Sequence, residues 1–198
     1  MPRPGAASRL SDGGRCGTLG HVPPARAVLL TGTVGVGKTT TLDHLGALWR
    51  GLGVPHALVD LDALRRTWPP PTRDPFQVGL ALANLASLRA NDTERASRQV
   101  GLAGVVEDVA ERARLQAAVG VPMIVVRLSA SRGEVRRRLL RRHRDPDEQE
   151  SLRWYLRRAV ELDAVLDRAG AHDLVVDVDD LSPRQVAQRV LDLVGERC

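Results

Sequence analysis

The stretch from Gly32 to Thr39 constrains the fold more than any other part of the sequence. It reads G-T-V-G-V-G-K-T and fits the pattern G-x-x-x-x-G-K-[ST] of a phosphate-binding loop, or P-loop, at every fixed position. Glycines let such a backbone curl until successive N–H groups converge on phosphate oxygens. An apolar run at 27–31 precedes the stretch, and leucines at helical spacing follow it. Strand, glycine loop and helix is the order in which this pattern binds a nucleotide.

The residues of this loop have distinct expected roles. Lys38 supplies a mobile charge for the β- and γ-phosphates, and it is the only lysine in a chain that otherwise uses arginine. The Thr39 hydroxyl is the expected ligand of Mg²⁺. No motif that reads guanine is evident, so we expect ATP and Mg²⁺ as cofactors. The candidate nucleotide-binding residues are Gly32, Thr33, Val34, Gly35, Val36, Gly37, Lys38, Thr39 and Thr40.

The composition of the whole chain narrows the class of protein. A length of 198 residues suits one domain, expected at 26–198, and residues 1–25 have the Pro-, Gly-, Ser- and Arg-rich composition of a disordered tail. The two cysteines, Cys16 and Cys198, form neither a disulfide framework nor a metal cluster, which favours a cytoplasmic setting. No apolar run approaches the roughly 20 residues that span a bilayer. The net charge of +5 is satisfied by a nucleotide substrate, so nucleic acid is not the expected partner.

Predicted strands and helices alternate along the chain after the tail. Apolar runs predict strands at 27–31, 56–60, 99–106, 122–128 and 174–178. Helical spacing predicts helices at 40–52, 76–90, 133–144 and 151–169, one that ends near residue 117 and one that a capping box at 182–185 begins. This alternation predicts a three-layer α/β P-loop NTPase fold with a mainly parallel five-stranded sheet, helices on both faces and an Arg-rich lid helix.

Acidic residues follow two of the predicted strands. Asp60 and Asp62 end the second strand, and Glu107 and Asp108 follow the third. Ligands of open α/β sheets collect at the carboxyl ends of the strands, so these carboxylates are candidate site residues. A carboxylate beside the γ-phosphate can orient or deprotonate an acceptor hydroxyl, and Asp62 is the candidate for that role. The alternative for each of these residues is a helix N-cap or a solvated loop charge.

The segment at 60–65, Asp-Leu-Asp-Ala-Leu-Arg, resembles the Asp-Gly-Asp-x-x-Arg motif of adenylylsulfate kinases. In that family the second aspartate is implicated as the catalytic base, and the resemblance gives this role to Asp62. Phe76 and Asn84 fall where the family places an aromatic residue and an asparagine at the acceptor site. Leu61 replaces the glycine of the motif, and the family's Lys-Gly-Leu-Tyr lid run is missing from the sequence. The substrate-binding residues that the resemblance implies are Asp60, Arg65 and Phe76.

The C-terminal half resembles a wider group of small-molecule kinases that includes gluconate, shikimate and chloramphenicol kinases. The run at 134–142 is similar to their lid helix, in which an Arg-Leu-x-x-Arg pattern brings arginine onto the phosphates. The pattern matches Arg138 and Arg142, which share one helix face and become candidate catalytic residues. The segment at 176–183 resembles the last strand and loop of these kinases, near the adenine. The alternative for the arginine run is a solvated basic helix face.

Together these features predict an ATP- and Mg²⁺-dependent phosphotransferase, with Lys38, Asp62, Arg138 and Arg142 as catalytic residues and a hydroxyl-bearing small molecule as acceptor. Two other functions stay open. A nucleotide-dependent switch or ATPase that acts on a protein partner would share the P-loop. A nucleic-acid-binding module that uses the arginine run ranks last, because acidic residues lie next to the run. The sequence leaves the acceptor, the preference for ATP or GTP and the oligomeric state open. Trp49, Trp68 and Trp154 are expected in the core or at an interface.

Overall fold

Five parallel strands form the central sheet of the protein. The computed structural model describes residues 25–74, 76–92 and 99–196. The strand order is β2-β3-β1-β4-β5, which puts the strand that leads into the P-loop in the middle of the sheet. The predicted α/β fold with a parallel five-stranded sheet is therefore confirmed. The strands are β1 (Arg26–Thr31), β2 (His56–Asp60), β3 (Gln99–Ala103), β4 (Met123–Ser129) and β5 (Leu174–Asp177).

Helices cover both faces of this sheet. One buried cluster joins α1 and α6 to one face through residues such as Leu45 and Val190, and a second joins α2 and α3 to the other through Leu85 and Leu115. No helix in the described part of the chain is long and apolar enough to cross a bilayer. The helices are α1 (Lys38–Gly51), α2 (Val78–Asp92), α3 (Val109–Val119), α4 (Arg132–Arg142), α5 (Gln149–Ala169) and α6 (Pro183–Gly195), with short 3-10 helices at Ala63–Arg65 and Pro146–Glu148.

The predicted start of α2 differs from the structure because a side chain caps this helix. The carboxylate of Asp74 accepts hydrogen bonds from the N–H groups of Val78 and Gly79, both at 2.8 Å, so α2 begins two residues later than predicted. The capping box at the start of α6 is present as predicted. The tail expected at 1–25 lies outside the described residues except for residue 25.

The third strand is three residues shorter than predicted. After Ala103 the chain leaves the ladder, and the Gly104 N–H donates to the Leu30 carbonyl at 3.1 Å. Asp108 then accepts a hydrogen bond from the Glu111 N–H at 2.7 Å and caps α3. The N-cap alternative for Asp108 is therefore the one that the structure shows.

Gly101 of β3 supplies the space into which α1 and β2 pack. A Cβ at this position would lie 2.6 Å from Leu42 Cδ1, 2.9 Å from Leu58 Cδ2 and 3.1 Å from Trp49 Cζ3. We predict that Gly101→Ala lowers the free energy of unfolding by about 1–3 kcal/mol, because overpacking forces buried side chains from their rotamers. Gly51→Ala is the control, since a Cβ there meets nothing within 4 Å. Urea denaturation measures the free energy of unfolding of the two variants. Equal values would contradict the close packing of α1 and β2 against Gly101.

Candidate active site

A cavity of about 1270 Å³ opens at the carboxyl ends of the strands. It is lined by the P-loop, by segments that follow β2, β3 and β5, and by α4 and α5. Typical pockets for one small ligand measure roughly 300–1,000 Å³, so this cavity has room for a nucleotide and a second molecule. Because β1 is central, residues that follow β2 and β3 lie on one side of the P-loop, here called the β2 side. Residues that follow β5 lie on the other side, here called the β5 side, whereas α5, which follows β4, reaches Glu107 and Phe76 on the β2 side.

The P-loop backbone is held against β4 and curls toward the cavity. Gly32 has φ of 145°, and a Cβ there would lie 2.5 Å from the Leu128 carbonyl oxygen, so only glycine fits. Gly37 has φ of 106° and begins α1 without any side-chain cap. No side chain in the described part of the chain caps the first N–H groups of α1, which lie at the site where the pattern predicts phosphate. Of the predicted nucleotide-binding residues, those that line the cavity are Val34, Gly35, Gly37, Lys38, Thr39 and Thr40.

Lys38 lies in the curl of the loop. Its Nζ donates to the carbonyl oxygens of Gly32 at 3.0 Å and Thr33 at 3.1 Å. Burial lowers the pKa of the Lys38 ammonium to about 8, and the nearby carboxylates of Asp62 and Asp60 oppose that shift. The ammonium therefore sits where an anion would favour its charged form.

Thr39 and Asp60 bring oxygen atoms together beside the loop. The Thr39 hydroxyl donates to Asp60 Oδ2 at 2.9 Å, and Asp60 Oδ1 accepts from the Asp62 N–H at 2.9 Å. Hydroxyl and carboxylate oxygens next to a phosphate site are the donors that Mg²⁺ prefers. The residues present fit the predicted metal, with Thr39 as the expected direct ligand and Asp60 beside it. Asp60 thus contacts Thr39, and its binding of the acceptor stays a prediction.

The structure brings Asp62, Arg65 and Phe76 together on the β2 side, as the resemblance implied. Asp62 Oδ1 forms an ion pair with the Arg65 guanidinium, whose Nη1 also donates to the Phe76 carbonyl at 3.2 Å. Asp62 Oδ2 accepts no hydrogen bond from the described residues, and the side chain is 56% exposed. Asn84 is directed elsewhere, because its Nδ2 donates to the Leu64 carbonyl at 2.8 Å.

Helix α5 contributes a wall of the cavity that was not predicted from the sequence. Arg158 forms an ion pair with Glu107, and its guanidinium carbon lies 5.6 Å from the centre of the Phe76 ring. Trp154 and Tyr155 line the cavity beside it, and Trp154 is 46% exposed. The sequence did contain a signal for this wall, because Tyr155 and Arg158 occur at the helical spacing of the residues that α5 buries. Trp49 lies in the core as expected, whereas Trp68 is 90% exposed.

The two arginines predicted from the lid pattern have different surroundings. Arg138 Nη1 donates to the Val36 carbonyl at 2.6 Å, Nη2 to the Val178 carbonyl at 3.1 Å, and Nε to Glu134 at 2.5 Å. Arg142 lines the same cavity, is exposed, and makes no hydrogen bond or ion pair with the described residues. Arg138 is therefore engaged by the protein, whereas Arg142 is free to contact a ligand.

Neither a protein-family model nor a curated protein sequence matches this chain. Solved structures do match it. The APS kinase of Mycobacterium tuberculosis, in complex with AMPPNP and APS, is 24% identical, with 87% of this chain and 99% of the kinase covered and a TM-score of 0.57. The Deinococcus radiodurans tunicamycin resistance protein is 23% identical, with 86% and 96% covered and a TM-score of 0.58.

The shikimate kinase of Acinetobacter baumannii, in complex with shikimate, is 22% identical to this chain. The match covers 88% of this chain and 94% of the kinase, with a TM-score of 0.53. These similarities show that the chain has the fold of the P-loop small-molecule kinases. The fold class inferred from the sequence is confirmed by these matches as well as by the strand order.

Glu134 is the acidic partner of the arginines on α4. Hydrogen bonds from Arg137, and then from Arg138, lower the pKa of the Glu134 carboxyl to about 2 from an ordinary value of 4.5. The unfolded chain therefore takes up this proton at a higher pH than the folded chain does. It follows that Glu134 stabilises the folded protein above pH 4.5 and loses this effect as the pH falls from 4.5 to about 2.

We predict that Glu134→Gln lowers the free energy of unfolding by a constant amount above about pH 5, and that its difference from the wild type shrinks below that pH. Denaturant titrations over a pH series measure this difference. Glu161→Gln is the control, since Glu161 is exposed and has no ion pair within the described ranges. A Glu134→Gln difference that stays the same down to the acid limit would contradict the ion-pair assignment.

Proposed function

We propose that this protein is an ATP- and Mg²⁺-dependent phosphotransferase that moves the γ-phosphate to a hydroxyl group of a small molecule. One observation carries the proposal: the P-loop and the Asp62–Arg65 pair open into one cavity large enough for two ligands. The APS kinase and the shikimate kinase that share the fold are kinases of small molecules, which supports the same class of reaction here. A cytoplasmic setting stays a prediction.

The P-loop would bind the nucleotide. The N–H groups of the loop and of the first turn of α1 would bind the β- and γ-phosphates, and Lys38 would leave the loop carbonyls to bind them too. Thr39 would hold Mg²⁺ with Asp60 beside it, and the metal would neutralise charge on the phosphates. The segment after β5 lines the β5 side with Asp179, Leu181 and Pro183, and it would bind the adenine of the nucleotide.

Asp62 would act on the acceptor. The acceptor oxygen would attack the γ-phosphorus, the bond from that phosphorus to the bridging oxygen would break, and ADP would leave. Asp62 Oδ2, which has no partner in the described ranges, would take the proton of the acceptor hydroxyl. Arg65 holds Asp62 through Oδ1, so it orients the base, and its contact with Phe76 ties both to the wall of the cavity.

Helix α4 would complete the site. Arg142 is free and near enough to Lys38 to lower the pKa of that ammonium, so we assign it to the charge on the transferring phosphoryl group. Arg138 would act as a positioning residue, because its Nη1 and Nη2 already hold α4 to the P-loop and to the residue that follows β5. Closure of this helix over the phosphates would exclude water and prevent hydrolysis of ATP.

Further arginines on the cavity wall guide the choice of acceptors to test. These residues are exposed and have no hydrogen-bond or ion-pair partner among the described residues: Arg66, Arg114 and Arg141. Free guanidinium groups bind carboxylate, sulfate and phosphate through paired N–H donors. A test panel should therefore contain each hydroxyl compound as a matched pair, one anionic and one neutral.

We predict that the purified protein transfers label from γ-labelled ATP, in the presence of Mg²⁺, to at least one hydroxyl compound in a panel that includes adenylylsulfate. Lys38→Ala should abolish the transfer, because the loop loses its only ammonium. Thin-layer separation of the labelled products measures the result. Lys38-dependent ATP binding with slow phosphate release and no labelled acceptor would contradict the proposal and favour the nucleotide-dependent switch.

We predict that Asp62→Asn lowers kcat about 10²-fold or more while the affinity for ATP stays within a few-fold of the wild type. The amide is nearly isosteric but cannot take the proton. Steady-state kinetics with the identified acceptor measure kcat, and equilibrium titration measures the ATP affinity. Asp43→Asn on the exposed surface of α1 is the matched control. Unchanged transfer in Asp62→Asn would show that Asp62 is not the base.

A further inference from the structure

The four variable residues of the P-loop, Thr33 to Val36, form the base on which α4 and α5 rest. Val34 packs into the small buried cluster that joins these two helices around Val135, Leu139 and Ala159. Gly35 lies so close to α4 that a Cβ there would be 3.0 Å from Leu139 Cγ. The Val36 carbonyl, as described above, accepts from Arg138. The loop that would bind phosphate is thus also a packing partner of the helices that would cover it.

Thr33 makes the most specific of these contacts. Its hydroxyl donates to the backbone carbonyl of Ala159 in the middle of α5 at 2.7 Å, across 126 positions of sequence. Thr33 is 5% exposed and does not line the cavity. The side chain therefore cannot contact a bound nucleotide directly, whereas its backbone belongs to the loop that would.

Helix α5 is anchored again one and two turns further on. Arg127 of β4 is 6% exposed and binds Asp163 at 2.9 Å and Asp167 at 2.6 Å. Positions 159, 163 and 167 fall on one face of the helix. This C-terminal part of α5 is thus held by the sheet, and the hydroxyl of Thr33 holds the turn that carries Arg158.

That turn carries the side chains of the cavity wall. Arg158 precedes the anchored carbonyl directly, and Trp154 lies about one turn before it. A loop that closes around phosphates would therefore move the anchor point of the same turn. A shift of about 1 Å in a positioning contact can change the rate of a transfer reaction by about 10²-fold.

We propose that Thr33 is a positioning residue, whose hydroxyl ties the turn of α5 that carries Arg158 to the P-loop and transmits nucleotide binding to the β2 side of the cavity. This inference rests on the proposed function, because it requires that the loop binds a nucleotide. The contact acts through α5, and Thr33 itself touches neither ligand.

The test replaces the hydroxyl and leaves the rest of the loop unchanged. Thr33→Val keeps the shape of the side chain and removes the donor, and Thr33→Ala removes the donor with a smaller side chain. Thr33→Ser keeps the hydroxyl and is the matched control. Thermal unfolding establishes that each variant is folded at the assay temperature. A variant that loses activity only because it unfolds is thereby identified.

Trp154 serves as the reporter. In a Trp68→Phe background two tryptophans remain. Trp49 is buried in the core, and Trp154 is partly exposed in the cavity wall. Saturating Mg²⁺ and AMP-PNP should change the emission of this protein, and an additional Trp154→Phe substitution should remove the change. We expect Thr33→Ser to keep this change and Thr33→Val and Thr33→Ala to lose most of it, with nucleotide affinity within a few-fold of the parent.

The kinetic readout should agree with the fluorescence. With the acceptor found by the transfer screen, Thr33→Val should lower kcat roughly 10-fold to 100-fold while KM for ATP changes little, and Thr33→Ser should restore kcat. A Thr33→Val protein with the emission change and kcat of the serine variant would overturn the inference. If the parent protein shows no Lys38-dependent nucleotide binding at all, the proposed function fails and this inference fails with it.

Discussion

The close approach of the P-loop to the neighbouring strand is the constraint on which the rest of the site depends. Gly32 passes so near the Leu128 carbonyl that no side chain fits between them. The loop therefore rests directly on β4, and α1 begins at Lys38, the seventh residue of the loop. Because β1 is the central strand, the other groups of the cavity lie on one side of this loop or on the other. A backbone cradle of this kind presents its N–H groups to phosphate.

Charge in the cavity is arranged in pairs before any ligand binds. Asp62 is held by Arg65, Glu107 by Arg158, and Glu134 by Arg137 and Arg138. Such pairs fix the positions of their side chains more than they stabilise the fold, since several of these side chains are partly exposed. The groups left without a partner in the described ranges, Arg142 among them, are the ones available to a ligand. This division between held and free charges underlies the roles that we propose.

The sequence predicted the parts of the structure that depend on local patterns. The P-loop, the five strands and the capping box of α6 follow from fixed spacing, apolar runs and capping chemistry. The cavity wall on α5 could not be predicted in this way, because Arg158 meets Glu107 only through the tertiary fold. Arg127 reads as an ordinary charge in an apolar strand, and its partners lie 36 and 40 residues away. The contacts of Arg138 likewise depend on how α4 packs against the loop.

A crystal structure of the protein with Mg²⁺ and AMP-PNP would show whether the P-loop binds the phosphates. We predict that the β- and γ-phosphates lie against the N–H groups of the P-loop and that Lys38 Nζ has moved from the carbonyls of Gly32 and Thr33 to a phosphate oxygen. We also predict that Mg²⁺ is bound by the Thr39 hydroxyl, with Asp62 facing the γ-phosphate. A nucleotide bound elsewhere, or a Lys38 that keeps its contacts with the loop carbonyls, would contradict the proposed nucleotide site.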